Sequence, residues 1–274
     1  MNVDLTFSGG GGRCFAHIGV MRAVSEAGHT VSAMSACSTG AVLAALFAAG
    51  HSWEKVRGAF DNQTLVNHLS FSADGASFDQ DAIRRQIDGL LPQTFAELKI
   101  PLYVTATDIQ NGEMLVLNKG DLLSALLASN AFPGLFNPVK REGRWLMDGG
   151  VLNNVPNDVL PESQHPHIVI DASPPADEKV DLEPDHNPLK RGLELITNKV
   201  TLPSKLMRKA FLIAQAEIIE RRLDDKPPDL LIKPDFPDNY SIFDFHRLDE
   251  ALDIGYKATS EALKTLNPRD PNGG

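Results

Sequence analysis

The first fifty residues switch between strand-like and helix-like hydrophobic spacing, and this limits the chain to few folds. Residues 3–7 read as a short buried strand, followed by the loop Ser8-Gly9-Gly10-Gly11-Gly12-Arg13. Across residues 14–27, Phe15, Ile18, Met21 and Val24 keep helical spacing, and Gly28 supplies a stop. Residues 30–36 form a second strand pattern. Residues 39–49 are a helix pattern of small residues ended by Gly50. Strand, loop, helix, strand, turn and helix in this order imply parallel strands joined by right-handed crossovers. The glycine loop and Ser38 then fall at the C-terminal ends of strands, where open α/β sheets place their sites.

The rest of the chain continues the pattern less regularly. Residues 102–109 and 114–118 flank Asn111-Gly112, a hairpin signal. Residues 120–129 read as a helix, 145–147 as a strand leading into Asp148-Gly149-Gly150, and 167–172 as another strand. A proline- and acid-rich loop is expected over 173–188, and a helical region broken at Pro203 over 189–223. A short strand at 229–232 and an amphipathic helix at 246–263 close the domain. With no internal repeat or linker, one domain over 1–267 and a frayed tail at 268–274 are expected.

Two cysteines, Cys14 and Cys37, make no disulfide framework and read as free thiols in a reducing compartment. The N-terminal segment lacks signal-peptide character, and no apolar run has transmembrane length. A cytoplasmic protein, peripheral to a membrane at most, is expected. A formal net charge of −10 argues against nucleic-acid binding.

Ser38 stands between the second strand and the second helix, with the small residues Ala36 and Gly40 two positions either side. A sharp strand-to-helix turn exposes and positions a serine nucleophile; its usual form is Gly-x-Ser-x-Gly. Helix capping is the competing role for such a serine. The four glycines Gly9 to Gly12 suit a phosphate or dinucleotide cradle, an oxyanion hole, or a plain tight turn. The second strand ends without the acidic residue of a dinucleotide site, and no Gly-Lys-Ser/Thr follows. Asp148 reads either as an Asp-Gly turn or as a base for Ser38. None of His165, His167, His186 and His246 sits in a recognisable base motif, and His17 reads as a packed polar residue. No His–carboxylate cluster has metal-ligand spacing, so no metal is expected. Cys37 is a second candidate nucleophile, which its place beside Ser38 should aim away from the site. Residues 187–210 form a basic amphipathic run, either a solvated surface helix or a contact for an anionic membrane. Residues 63–81 are a loop-like lid candidate.

Several blocks together resemble the patatin-like phospholipases. These are Ser8 to Arg13, Ala16-His17-Ile18-Gly19-Val20, Cys37-Ser38-Thr39-Gly40-Ala41 and Ala106-Thr107-Asp108. Ala128-Ser129-Asn130-Ala131-Phe132-Pro133-Gly134, Phe136-Asn137-Pro138-Val139 and Asp148-Gly149-Gly150 complete them. The resemblance spans residues 3–156, and the compact bacterial members are the most similar. It implies a variant α/β-hydrolase fold, a three-layer sandwich around a central, mostly parallel sheet. It also implies a Ser38–Asp148 dyad, an oxyanion hole from the N–H groups around Gly10, Gly11 and Gly12, and no cofactor. Arg13 matches the basic residue of the glycine motif, either fixing the loop or touching substrate. The implied activity is hydrolysis of phospholipid or lysophospholipid acyl esters through an acyl-enzyme. An acyltransferase with the same dyad and a decayed lipid-binding module are the alternatives. Cys14 and Ala36 stand where the family pattern has glycine, and each adds a Cβ at a crowded turn.

Overall fold

A computed structural model describes residues 1–60, 84, 87, 89–177 and 202–266. The lid candidate, the part of the basic run before residue 202, most of the 173–188 loop and the C-terminal tail lie outside the described residues. The chain runs β1 (Asn2–Phe7), α1 (Ala16–Glu26), β2 (Thr30–Ala36), α2 (Ser38–Ala48), α3 (Trp53–Ala59), β3 (Leu102–Asp108) and β4 (Glu113–Leu117). It continues through α4 (Leu122–Ser129), β5 (Val139–Arg141), β6 (Arg144–Asp148), β7 (His167–Ile170), α5 (Leu202–Asp225), β8 (Leu230–Ile232) and α6 (Leu248–Ala262). The glycine loop leads into a 3-10 turn, Gly11–Phe15, that runs on into α1. From Leu202 to Asp225 the described chain is one continuous helix that includes Pro203, and the part of the expected helical region before residue 202 lies outside the described residues.

The eight strands among the described residues join one sheet. β3, β2, β1, β7 and β8 run parallel; β4 and β6 pair antiparallel with β3, and β5 pairs antiparallel with β6. Along β1, Val3, Leu5 and Phe7 face a core shared with Phe15, Ile18, Leu43 and Leu46. Each such side chain, fully buried, contributes about 1.5–3 kcal/mol. Val169 points the other way, into a cluster with Val155 and with Ile219 and Leu223 of α5. Helices therefore cover both faces, giving a three-layer α/β sandwich with a mixed central sheet. α2 is buried from Gly40 to Ala48, which explains its run of small residues: a wider helix would not fit between the sheet and its helical neighbours.

One feature of the sheet positions the site. Val104 pairs with Ala36 of β2 and Leu117 of β4, and Ala106 pairs with Leu115 of β4 and Asp148 of β6. A strand has only two edges, so β2 and β6 share one edge of β3. They run toward each other along it. Their C-terminal ends, Ala36 and Asp148, stop two residues apart in the β3 register.

Candidate active site

The residue after the end of β2 is Cys37, in extended conformation, and Ser38 then turns the chain into α2 with φ 53°. A left-handed backbone costs a non-glycine residue about 1–2 kcal/mol. It also lifts the Ser38 side chain out of the strand and toward the end of β6. Ser38→Gly is therefore expected to be about 1 kcal/mol more stable than Ser38→Ala in urea denaturation. Equal stabilities would show that this turn stores no strain.

Ser38 Oγ donates to Asp148 Oδ2 at 2.7 Å. The other carboxylate oxygen, Oδ1, accepts the Gly150 N–H at 2.8 Å and the Cys37 thiol at 3.6 Å. Asp148 is buried, and burial raises its pKa from the usual 3.8 to about 6, against the lowering effect of its three hydrogen bonds. A carboxylate so desolvated is a stronger base than one in water, yet ionised at neutral pH. Cys37 is also fully buried, and burial together with the charge of Asp148 holds its thiol protonated. It is a donor to the carboxylate, and the half-exposed Ser38 is the more reachable of the two side chains.

The glycine loop lies beside this pair. Gly9 donates its N–H to the Asn154 carbonyl at 3.1 Å, and Asn154 Nδ2 returns a bond to the Gly9 carbonyl at 3.3 Å. The Gly12 N–H is taken by the Ile242 carbonyl at 2.7 Å. Among the described residues no acceptor takes the N–H of Gly10 or Gly11. Arg13 does not reach toward Ser38: its Nε donates to the Ala172 carbonyl at 2.9 Å, and its guanidinium lies 4.0 Å from the centre of the Phe236 ring. Arg13 thus ties the loop to the chain beyond β7.

Both departures from the family's glycines are accommodated. Neither Ala36 nor Cys14 has a positive φ, so neither adds strain. The Ala36 methyl is buried in the main core. The Cys14 thiol is buried and donates to the Ser8 carbonyl at 3.5 Å.

Among the described residues no histidine hydrogen-bonds Ser38 or the Asp148 carboxylate. His17 stacks on Phe7 at 4.2 Å, bonds the Ser8 carbonyl through Nε2, and has its pKa lowered to about 4 by burial. His167 Nε2 meets Thr6 Oγ1 at 2.7 Å on the far side of β1. His186 lies outside the described residues. Thr39 opens α2 half-exposed beside Ser38, and Gly149 packs against the Thr105 carbonyl. Ser129, Asn130 and Asn154 also bond to the site, roles that the sequence reading did not assign. Gln215 of α5 donates to the Gly150 carbonyl at 2.8 Å, so this helix also touches the turn after Asp148. Among the described residues, no helix is long and apolar enough to cross a membrane.

The chain is 36% identical over 164 residues to an uncharacterized NTE family protein of Mycobacterium tuberculosis, covering 56% of this chain and 44% of that protein. It therefore spans less than half of that relative's length. It is 28% identical over 281 residues to patatin-like phospholipase domain-containing protein 7 of Rattus norvegicus, covering 93% of this chain and 20% of that protein. The fold superposes on VipD from Legionella pneumophila with a TM-score of 0.60 at 13% identity, over 96% of this chain and 66% of that one. The family model for patatin-like phospholipase matches residues 5–161, more than half of the chain and the whole span from β1 past Asp148, and the chain belongs to that family.

Proposed function

We propose that this chain is a serine-dependent lipid acyl hydrolase, with Ser38 as nucleophile, Asp148 as base, and the Gly10 and Gly11 N–H groups as the oxyanion hole. The observation that carries the reading is the 2.7 Å bond from Ser38 Oγ to a buried carboxylate. Family membership supports an acyl ester of a phospholipid or lysophospholipid as substrate. The Gly12 N–H is already bonded, so the oxyanion role falls to its two neighbours.

In this reading Ser38 Oγ attacks the ester carbonyl as its proton passes to Asp148 Oδ2. The carbonyl oxygen becomes an oxyanion, stabilised by the glycine-loop donors at the positive end of the following helical turn. Collapse breaks the ester C–O bond, and Asp148 returns the proton to the departing alcohol or lysolipid. Water then attacks the acyl-enzyme, giving its proton to Asp148. The second collapse releases the fatty acid, and the proton goes back to Ser38 Oγ. Every proton moves through one carboxylate, so no histidine is required. The pH at which Asp148 ionises then sets the acid side of the activity profile.

A fluorophosphonate probe read by intact mass tests the nucleophile. One adduct on the wild type and none on Ser38→Ala is the expected result. A folded wild type that stays unlabelled, or an equally labelled Ser38→Ala, would overturn it.

A further inference from the structure

Both members of the dyad are bonded through their backbones to one tripeptide. α4 ends at Ser129, and the chain passes between the start of α2 and the end of β6. Ser129 Oγ accepts the Ser38 N–H at 2.8 Å. Asn130 Nδ2 donates to the Ser38 carbonyl at 2.9 Å. The Ala131 carbonyl accepts the Asp148 N–H at 3.1 Å. Three consecutive residues thus hold the nucleophile on both sides of its Cα and the base on one.

The bracket is itself anchored. Asn130 Nδ2 gives a second bond to the Leu126 carbonyl at 2.9 Å, and the Asn130 N–H bonds the same carbonyl at 3.0 Å. Both hydrogens of the side-chain amide are then in use, one on the last turn of α4 and one on Ser38. Ser129 and Asn130 are buried, so water does not replace these bonds. The residue they hold has φ 53°, a conformation that persists only where its surroundings impose it.

We propose that Ser129 and Asn130 are positioning residues which, with the Ala131 carbonyl, hold Ser38 in its left-handed conformation and set the distance between its hydroxyl and Asp148. The proposal rests on the reading of Ser38 as nucleophile. Without the bracket Ser38 relaxes toward ordinary helical φ, and Oγ swings from the carboxylate. A displacement of about 1 Å at a reacting atom costs about 10²-fold in rate. Substrate binding does not use these groups, so the loss falls on kcat and not on KM.

The test compares full-length wild type, Ser129→Ala, Ser129→Thr and Asn130→Ala, well below their melting temperatures. Two rates are read: phosphonylation by the fluorophosphonate probe and steady-state hydrolysis of a p-nitrophenyl acyl ester. Ser129→Ala and Asn130→Ala are expected to lose about 10- to 100-fold in both rates, with KM within about twofold of wild type. Ser129→Thr, which keeps the hydroxyl, is expected to recover most of the loss. A folded Ser129→Ala with both rates within about twofold of wild type, or with a raised KM and intact kcat, overturns the bracket alone. A wild type not labelled at Ser38 overturns the nucleophile reading and the bracket with it. Should Asn130→Ala not fold, Ser129→Ala decides, because Ser129 is joined to the site through one hydroxyl.

Discussion

Asp148→Asn is expected to abolish turnover while making the folded protein more stable above pH 6. The two effects share one cause. Burial raises the Asp148 pKa from 3.8 to about 6, so the ionised carboxylate that the proposed chemistry needs is a cost to the fold. The sign follows from proton linkage. A raised folded pKa favours the protonated native state, so Asp148's contribution to stability is fully present below about pH 4, the unfolded value. It is lost as the pH rises through about 6. Asparagine never ionises. It still offers an oxygen to the Gly150 N–H and an amide to Ser38, so it escapes the cost at little loss of bonding. The gain at pH 8 is on the order of 2–3 kcal/mol, and it vanishes at pH 4. Turnover should fall by about 10³-fold or more, since no other base stands at Ser38 Oγ among the described residues. In the wild type, kcat/KM should fall on the acid side with a midpoint near pH 6. Urea denaturation at pH 4, 6 and 8, beside a pH–rate profile, reads all three. A variant with near-normal turnover would remove Asp148 as base. One with wild-type stability at pH 8 would show that the carboxylate is better solvated than its surroundings indicate.

The sequence carried the fold's parallel half and the site's two ends, and the physical reasons are local. β1, the glycine loop, α1, β2 and α2 each have a periodicity readable within about a dozen residues, and Gly28 and Gly50 mark their stops. β5 went unread because three residues beside a turn hold no alternation. The glycine loop stayed ambiguous for a different reason: which N–H groups are free depends on Asn154 and Ile242, about 140 and 230 residues away. Asp148 shows the same limit. As residues, Asp148-Gly149 is a turn. Only the opposed directions of β2 and β6 on one edge of β3 bring it to Ser38. The block Ser129-Asn130-Ala131 contributed to the family resemblance but had no role until the end of α4 was placed between the two.

Gly40→Ala is expected to destabilise the protein by about 2–4 kcal/mol and to take activity with it, although helix propensity alone argues the opposite. Alanine is better than glycine inside a helix by about 1 kcal/mol, and Gly40 is the third residue of α2. The tertiary contact wins. A Cβ at Gly40 would stand 2.2 Å from the Ser8 carbonyl oxygen, 3.1 Å from its carbon and 3.3 Å from the Phe7 carbonyl oxygen. All three are backbone atoms. Ser8 is pinned by its own N–H on the Ile170 carbonyl and by its hydroxyl, which accepts the Ala172 N–H. α2 must therefore move off β1, carrying Ser38 away from Asp148. Ala36 occupies the matching place on the other side of Ser38 and gives the opposite result. Its methyl fills core space at 0% exposure, so Ala36→Gly should cost about 1 kcal/mol through lost burial and a looser strand. The two small positions of this turn then have different causes. The second must be glycine because a carbonyl lies where Cβ would be. The first need only be small, which is how the chain keeps an alanine there without loss. Chemical denaturation of both variants decides the matter. A Gly40→Ala protein as stable as wild type would mean that α2 has room to shift, and the close packing of helix start on loop would not be what fixes Ser38.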